Sequence, residues 1–72
     1  MATISTLSST ASIDGARVEL NKVTRRDGLV SRYEVEFTEN DYSYTLFRGI
    51  SELSARMWYN NFVKEVMAGW RP

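Results

Sequence analysis

The chain contains neither cysteine nor histidine. Disulfides are therefore excluded, and the residues that normally bind zinc and copper are missing. The same absences remove the nucleophile–base pairs of most hydrolases, which combine histidine with serine or cysteine. We therefore expect a chain with no metal, no cofactor and no enzymatic activity. The lack of cysteine also fits a reducing compartment, so we expect a cytoplasmic protein.

An excess of one charge and long hydrophobic runs are absent as well. Nine basic and nine acidic residues give a net charge of zero, which argues against indiscriminate binding to nucleic-acid phosphates. No stretch approaches the roughly 18 apolar residues that a membrane span needs. Residues 1–12 carry neither the basic start nor the apolar run of a signal peptide. We therefore expect no membrane partner.

The length of 72 residues predicts one small domain over residues 1–72. A domain of this size buries only about 60% of the surface that its unfolded chain exposes. Small scaffolds usually compensate with disulfides, a metal or a partner subunit. Since the first two are excluded, dense aromatic packing and oligomerisation remain. All nine aromatic residues lie between Tyr33 and Trp70, so we expect the core to form there.

Alternation of apolar and polar residues predicts antiparallel strands. The clearest alternation covers residues 32–37, and similar runs cover residues 17–23 and 42–47. A weaker strand is expected near residues 7–13, with residues 1–6 frayed; the alternative for this segment is a free tail. As a strand, it would share the core face with Val18 through three residues: Leu7, Ala11 and Ile13.

The turns between these strands predict a register. Asp14-Gly15 and Asp27-Gly28 are typical two-residue hairpin turns, and residues 38–41 indicate a four-residue loop. The second turn then opposes Lys22–Tyr33, Leu20–Val35 and Val18–Phe37. The loop opposes Phe37–Tyr42, Val35–Tyr44 and Tyr33–Leu46. Both registers place the apolar residues on one face, whereas a one-residue slip would separate them.

A C-terminal helix is predicted from Glu52 to Ala68. Ser51 is a favourable N-cap, Glu52 complements the helix dipole, and Gly69 ends the helix. At about 100° per residue one broad arc is apolar. It consists of Ala55, Trp58, Tyr59, Phe62, Val63, Val66 and Trp70. We therefore predict an α+β fold, an antiparallel β-meander of three or four strands packed against one C-terminal α-helix, with the arc on the sheet.

Apolar residues outside this predicted core suggest a protein interface. Leu53 and Met57 lie one turn apart on the helix flank, beside Asn60 and Lys64. Phe47 and Val23 alternate onto the otherwise polar face of the sheet. Apolar anchors within a polar rim are typical of protein interfaces, although loops could also cover such residues. We predict an interface formed by Phe47, Leu53, Met57, Asn60 and Lys64.

A basic hairpin and sheet face suggest an alternative, binding to DNA or RNA. The residues are Arg17, Arg25, Arg26 and Arg32, on a sheet of the kind that some DNA-binding domains use. Glu19, Glu34 and Glu36 lie on the same predicted face and would repel phosphate. A catalytic pair formed by Glu34 and Glu36 would need a cleft and a raised pKa, so we interpret them as solvated charges.

The expected function is a small non-catalytic protein-binding module. Its partner would be another protein or a second copy of the chain, as a homodimer. Compact chains without catalytic residues are common among phage and mobile-element accessory proteins, which inhibit or adapt a larger host protein. The alternatives are the DNA- or RNA-binding domain and a subunit of a larger complex.

Overall fold

The computed structural model describes residues 2–12 and 14–72, which fold into four strands and one helix. The strands form one antiparallel sheet in the order β1-β2-β3-β4, followed by the helix α1. Their bounds are β1 (Thr3–Ala11), β2 (Arg17–Thr24), β3 (Val30–Glu39), β4 (Tyr42–Gly49) and α1 (Glu52–Met67). The predicted fold class, a β-meander followed by one helix, is confirmed.

The core lies between α1 and one face of the sheet. The helix contacts β2, β3 and β4. The buried residues of this layer are Ala16, Val18, Leu20, Tyr33, Val35, Phe37, Ala55, Tyr59 and Val66. Complete burial of a Val, Leu or Phe side chain contributes about 1.5–3 kcal/mol, so this layer is the main source of stability. The predicted packing of the helix on Tyr33 and Val35 is confirmed.

The register between β2 and β3 matches the prediction, but the turn that connects them does not. Lys22–Tyr33, Leu20–Val35 and Val18–Phe37 are opposed. The turn is a three-residue loop, closed by a hydrogen bond from Arg25 N to Leu29 O of 2.7 Å, with Gly28 at φ 91. This left-handed conformation suits glycine. A bulge next to the turn, opposite Val23 and Thr24, then restores the predicted pairs.

The first strand is longer than predicted and contains a bulge. It starts at Thr3, and its first residues, predicted to be frayed, pair with residues 21–24. A register shift between Thr6 and Ser8 lets Leu7 pack against the core as predicted. Ala11 pairs with Arg17 on the face away from α1, so its predicted core position was wrong. The expectation for Ile13 falls outside the described residues.

The connection between β3 and β4 is shorter than predicted. It is a two-residue loop, Asn40-Asp41, with Asn40 in the left-handed conformation at φ 54. Tyr44 therefore opposes Phe37 instead of Val35. This shift of two residues keeps the two tyrosines of β4, Tyr42 and Tyr44, on the helix face.

A bulge in β4 changes the position of Phe47. The register shifts between Val35 and Glu36, so Phe47 opposes Val35. The Phe47 ring therefore lies on the helix face, and its predicted place on the polar sheet face was wrong. Gly49 makes room for this ring, because a Cβ at position 49 would come within 2.8 Å of it. Val23 does lie on the face away from α1, and it is buried there.

Both ends of α1 are capped as the sequence predicts. Ser51 Oγ accepts a hydrogen bond of 3.2 Å from Ser54 N. At the other end Gly69, at φ 105, donates to Val66 O, and Trp70 donates to Glu65 O. These two bonds form a Schellman motif, which turns the chain back towards the sheet. Helix α1 ends at Met67, with Ala68 as the C-cap.

Arg71 joins the C-terminal segment to two parts of the sheet. Its Nε donates to both carboxylate oxygens of Glu39, at 3.1 and 3.0 Å. Its Nη2 lies 2.9 Å from the carboxylate of Asp14 in the β1–β2 loop. The guanidinium also lies over the ring of Phe37. A hydrogen bond from Ser12 and the charge of Arg71 lower the pKa of Asp14.

We expect Arg71→Ala to lower the free energy of unfolding by about 1–2 kcal/mol, because it removes charge-assisted hydrogen bonds to Glu39 that are only partly exposed. Urea denaturation followed by circular dichroism measures this loss. Arg56→Ala is the matched control, since its ion pair with Glu52 is exposed on both sides. Equal losses for the two variants would contradict the role of Arg71.

Candidate functional site

A row of aromatic side chains follows the edge of α1 that lies above β4. Phe47 stacks on Trp58 with ring centroids 6.0 Å apart, and Trp58 stacks on Phe62 at 5.6 Å. Phe62 contacts Trp70 at 5.8 Å, and Tyr42 stacks on Tyr44 at 6.3 Å. We call this set the aromatic surface: Tyr42, Tyr44, Phe47, Trp58, Phe62 and Trp70.

Local structure explains the position of each of these six rings. Trp58 and Phe62 are four residues apart and share one side of the helix. Tyr42 and Tyr44 alternate onto the same face of β4. The bulge in β4 adds Phe47 to this face. The Schellman motif at Gly69 then places Trp70 against Phe62.

Much of the aromatic surface is exposed to water. The exposed fractions are 62% for Tyr42, 46% for Tyr44, 45% for Trp58 and 39% for Trp70. The predicted burial of Trp58 and Trp70 was therefore wrong. Ala55 and Val66 lie at the centre of the apolar arc that packs on the sheet. Among the described residues no strand lies beyond β4, so the flank of the arc above β4 stays uncovered. Exposed Trp and Tyr are enriched at protein interfaces, because each has a large apolar body and a polar group.

An open cleft of about 270 Å³ lies at one end of the aromatic surface. It is lined by Phe37, Glu39, Tyr42, Tyr44, Arg71 and Pro72. Typical small-molecule sites are about 300–1,000 Å³ and more enclosed. Because its lining combines aromatic rings with the Arg71–Glu39 ion pair and is open to water, the cleft suits a side chain of a binding partner better than a free ligand.

The backbone edge of β4 borders the aromatic surface. Among residues 2–12 and 14–72, no strand pairs with this side of β4. Natural proteins usually protect such edges with charges, proline or β-bulges. Residues 42–47 contain no charge and no proline, and the bulge at Leu46 leaves residues 42–45 as a regular strand. Charged residues flank this segment, with Asp41 before it and Arg48 after it. The edge is therefore suited to pairing with another strand.

The predicted interface residues do not form one surface. Leu53 and Met57 are 72% and 64% exposed, and with Asn60 and Lys64 they lie on the side of α1 away from the sheet. Phe47 lies beneath Trp58 on the opposite side. An interface through Leu53, Met57, Asn60 and Lys64 remains a prediction. Helical periodicity assigns the exposed Trp58 and Trp70 to the core, because it identifies an apolar face but not how much of that face the sheet covers.

The arginines predicted to bind nucleic acid are mostly engaged within the chain. Arg17 donates to Ser9 at 3.0 Å, Arg25 pairs with Asp27 at 2.8 Å, and Arg32 pairs with Glu34. Arg26 is exposed in the β2–β3 loop. The structure therefore does not bring the four arginines together as one basic surface.

Glu34 is the centre of a charged network on the sheet face away from α1. Its carboxylate accepts hydrogen bonds from Arg32 Nε at 3.0 Å and from Arg48 Nε at 2.9 Å. Desolvation alone would raise the pKa of Glu34, but these two bonds and the two positive charges outweigh it and hold the pKa below its usual value. A general acid needs the opposite shift. Neighbouring bonds, Thr6–Asn21 and Thr45–Glu36, satisfy further polar groups on this face.

Comparisons with protein-family models, curated proteins and solved structures gave no match for this chain. In the described part of the chain, α1 falls short of the length and apolar character that a membrane-crossing helix requires.

We expect Glu34→Gln to lower the free energy of unfolding at neutral pH by about 1–3 kcal/mol, because two partly exposed arginines lose their buried, charged acceptor. The lowered pKa of Glu34 means that its stabilising effect is present above the unfolded value near 4.5 and is lost as the pH falls through the folded value. The difference between the two proteins should therefore shrink below about pH 4.5.

Urea denaturation at several pH values measures this difference. Glu36→Gln is the control, since a neutral amide oxygen can still accept the hydrogen bond from Thr45. A difference between wild type and Glu34→Gln that grows towards acid pH would contradict the linkage.

Proposed function

We propose that this chain is a non-catalytic protein-binding module that contacts its partner through the aromatic surface and the adjoining edge of β4. The observation that carries the proposal is the exposure of Tyr42 and Tyr44 on β4, together with that of Trp58 on the flank of α1 and of Trp70 just after the helix. Large aromatic side chains dominate binding energy at protein interfaces, particularly when a polar rim surrounds them. Here the Arg71–Glu39 ion pair supplies part of that rim.

Two kinds of contact are available on this surface. The rings offer apolar area, whose transfer from water is favourable by roughly 25 cal/mol per Å². The backbone of β4 offers N–H and C=O groups that an extended strand of a partner can pair with. A partner strand laid along β4 would place its alternate side chains against Tyr42 and Tyr44, so affinity and selectivity would come from adjacent parts of the site.

Within this proposal the chain acts in the cytoplasm as an inhibitor or adaptor of a larger protein. A phage or mobile-element origin would provide such a host partner, and permanent membership of a larger complex is the alternative. The aromatic surface is preferred to the basic sheet face, because Arg17 is already hydrogen-bonded to Ser9 and Arg32 to Glu34.

We expect Tyr44→Ala and Trp58→Ala each to weaken partner binding by at least about tenfold, because central aromatic anchors contribute 2 kcal/mol or more. Proteins captured on the immobilised chain from cells that produce it are identified by mass spectrometry, and binding to the purified partner is then measured by calorimetry. Leu53→Ala and Met57→Ala are the matched controls and should bind within about twofold of wild type.

The controls also test the interface predicted from the sequence. If Leu53→Ala and Met57→Ala lose the partner while Tyr44→Ala and Trp58→Ala retain it, the interface lies on the side of α1 away from the sheet. Each variant is compared with wild type by thermal denaturation, so that a loss of folding is not counted as a loss of binding.

A further inference from the structure

We propose that the partner at the aromatic surface is a second copy of this chain, with the two β4 strands paired antiparallel about a two-fold axis near Tyr44. This inference rests on the proposed function and specifies its partner. The two sheets would join into one continuous sheet of eight strands, with both helices on the same face. The same residues of each copy would meet across the axis, as in any isologous dimer.

The charges that flank β4 favour this antiparallel arrangement. Asp41 precedes the uncharged segment 42–47, and Arg48 follows it. A regular antiparallel ladder centred on Tyr44 would place Asp41 of each copy opposite Phe47 of the other. The extra residue of the bulge shifts this pairing by one, so Asp41 of each copy lies beside Arg48 of the other and two opposite-charge pairs form. Parallel pairing would instead place like charges side by side. Complementary charges fix the direction and register of association more than its strength.

The faces of β4 also match across the axis. Tyr42 and Tyr44 lie on the helix side of the strand, and Ser43 and Thr45 lie on the other side. Leu46, the extra residue of the bulge, also packs against the core on the helix side. With Tyr44 opposite its own counterpart, each Tyr42 faces Leu46 of the other copy, and Ser43 faces Thr45. Apolar residues therefore meet apolar residues on one face, and hydroxyl groups meet on the other.

The spacing of the two helices leaves room for the exposed rings. Helix α1 lies over β2, β3 and β4, so its axis runs close to β3. With strands about 4.8 Å apart, the two helices would lie about 14 Å from each other across the axis. Directly packed helices are 8–10 Å apart, so a gap remains above the two β4 strands. Trp58 and Trp70 project from the helix flank that borders this gap.

The exposed area of the aromatic side chains is close to what a dimer interface requires. Aromatic side chains bury about 150–250 Å² each, so four rings that are about half exposed offer roughly 400 Å² per copy. Two copies then approach the ~1,000 Å² minimum of a specific interface before the strand backbones are counted. A chain of 72 residues without disulfides gains stability from such a contact.

The other edge of the sheet is less suited to a closed dimer. β1 carries serine and threonine at most positions and has no aromatic residue, so this edge offers little apolar area to a second copy. Pairing β1 of one copy with β4 of the next would be head-to-tail and would continue into an open filament. Only the β4–β4 contact both closes and covers the aromatic surface.

Light scattering coupled to size exclusion tests the dimer directly over a concentration series. Wild type is expected at twice the mass of the 8.3 kDa chain. Tyr44→Lys is expected as a folded monomer, because two positive charges would meet near the axis. Leu53→Lys is the matched control and should remain dimeric. A dimer that persists in Tyr44→Lys, or a filament, would overturn the proposal.

A charge exchange tests the antiparallel register. Asp41→Lys and Arg48→Glu should each weaken self-association by about tenfold, because each creates two like-charge contacts. Mixing the two variants should restore a dimer that contains one copy of each. Arg48→Glu also removes a partner of Glu34, so its folding is checked by thermal denaturation. If it does not fold, retention of full dimer affinity by Asp41→Lys overturns the register.

The oligomeric state of wild type and the proteins captured by Tyr44→Ala together distinguish a failure of the dimer from a failure of the proposed function. If wild type stays monomeric at millimolar concentration while Tyr44→Ala still loses a captured protein, the second copy is excluded and the binding module stands. If Tyr44→Ala binds every captured protein as wild type does and wild type is monomeric, both are excluded.

Discussion

The packing of α1 against the sheet determines where every other surface of this protein lies. Ala55 and Val66 contact a layer of buried side chains centred on Val35 and Phe37. Because Ala55 has a small side chain, α1 can approach the strands closely at that point. Tyr59 extends the contact to β1 through a 2.7 Å hydrogen bond with Thr10. This layer orients α1, and the orientation of α1 decides which aromatic residues are buried and which stay exposed.

The core of this layer could be predicted from the sequence because its signals are local and repeated. Alternation in residues 32–37 and the predicted β2–β3 register both indicated the same buried face. The structure contains this strand and this register. The predicted β2–β3 register is correct partly because two irregularities cancel. The loop at Gly28 shifts the pairing by one residue, and the bulge opposite Val23 shifts it back. A buried face tolerates such paired irregularities because only the final alternation is constrained by burial.

The features that could not be predicted depend on bulges in the strands and on the limited width of the sheet beneath the helix. The bulge in β4 moves Phe47 to the helix face, and no residue pattern marks its position. Helical periodicity grouped Trp58 with Tyr59, yet they lie on opposite flanks of the packed arc. Tyr59 reaches β1, whereas Trp58 extends past β4, the last strand. Coverage by the sheet is a tertiary property, which a one-dimensional pattern does not contain.

The two faces of the sheet differ in how completely their polar and apolar groups are paired or covered, and this contrast supports the binding site proposed along β4. On the face away from α1, Glu34 and Asn21 are buried and hydrogen-bonded to neighbouring side chains, so this face gains little from a partner. Along β4 the aromatic rings stack on one another, and four of them remain about half exposed to water. Their exposed apolar area and the β4 edge, which is unpaired among the described residues, both destabilise the monomer, and the proposed partner strand would cover both. A site where two independent costs coincide is where association gains the most free energy per contact.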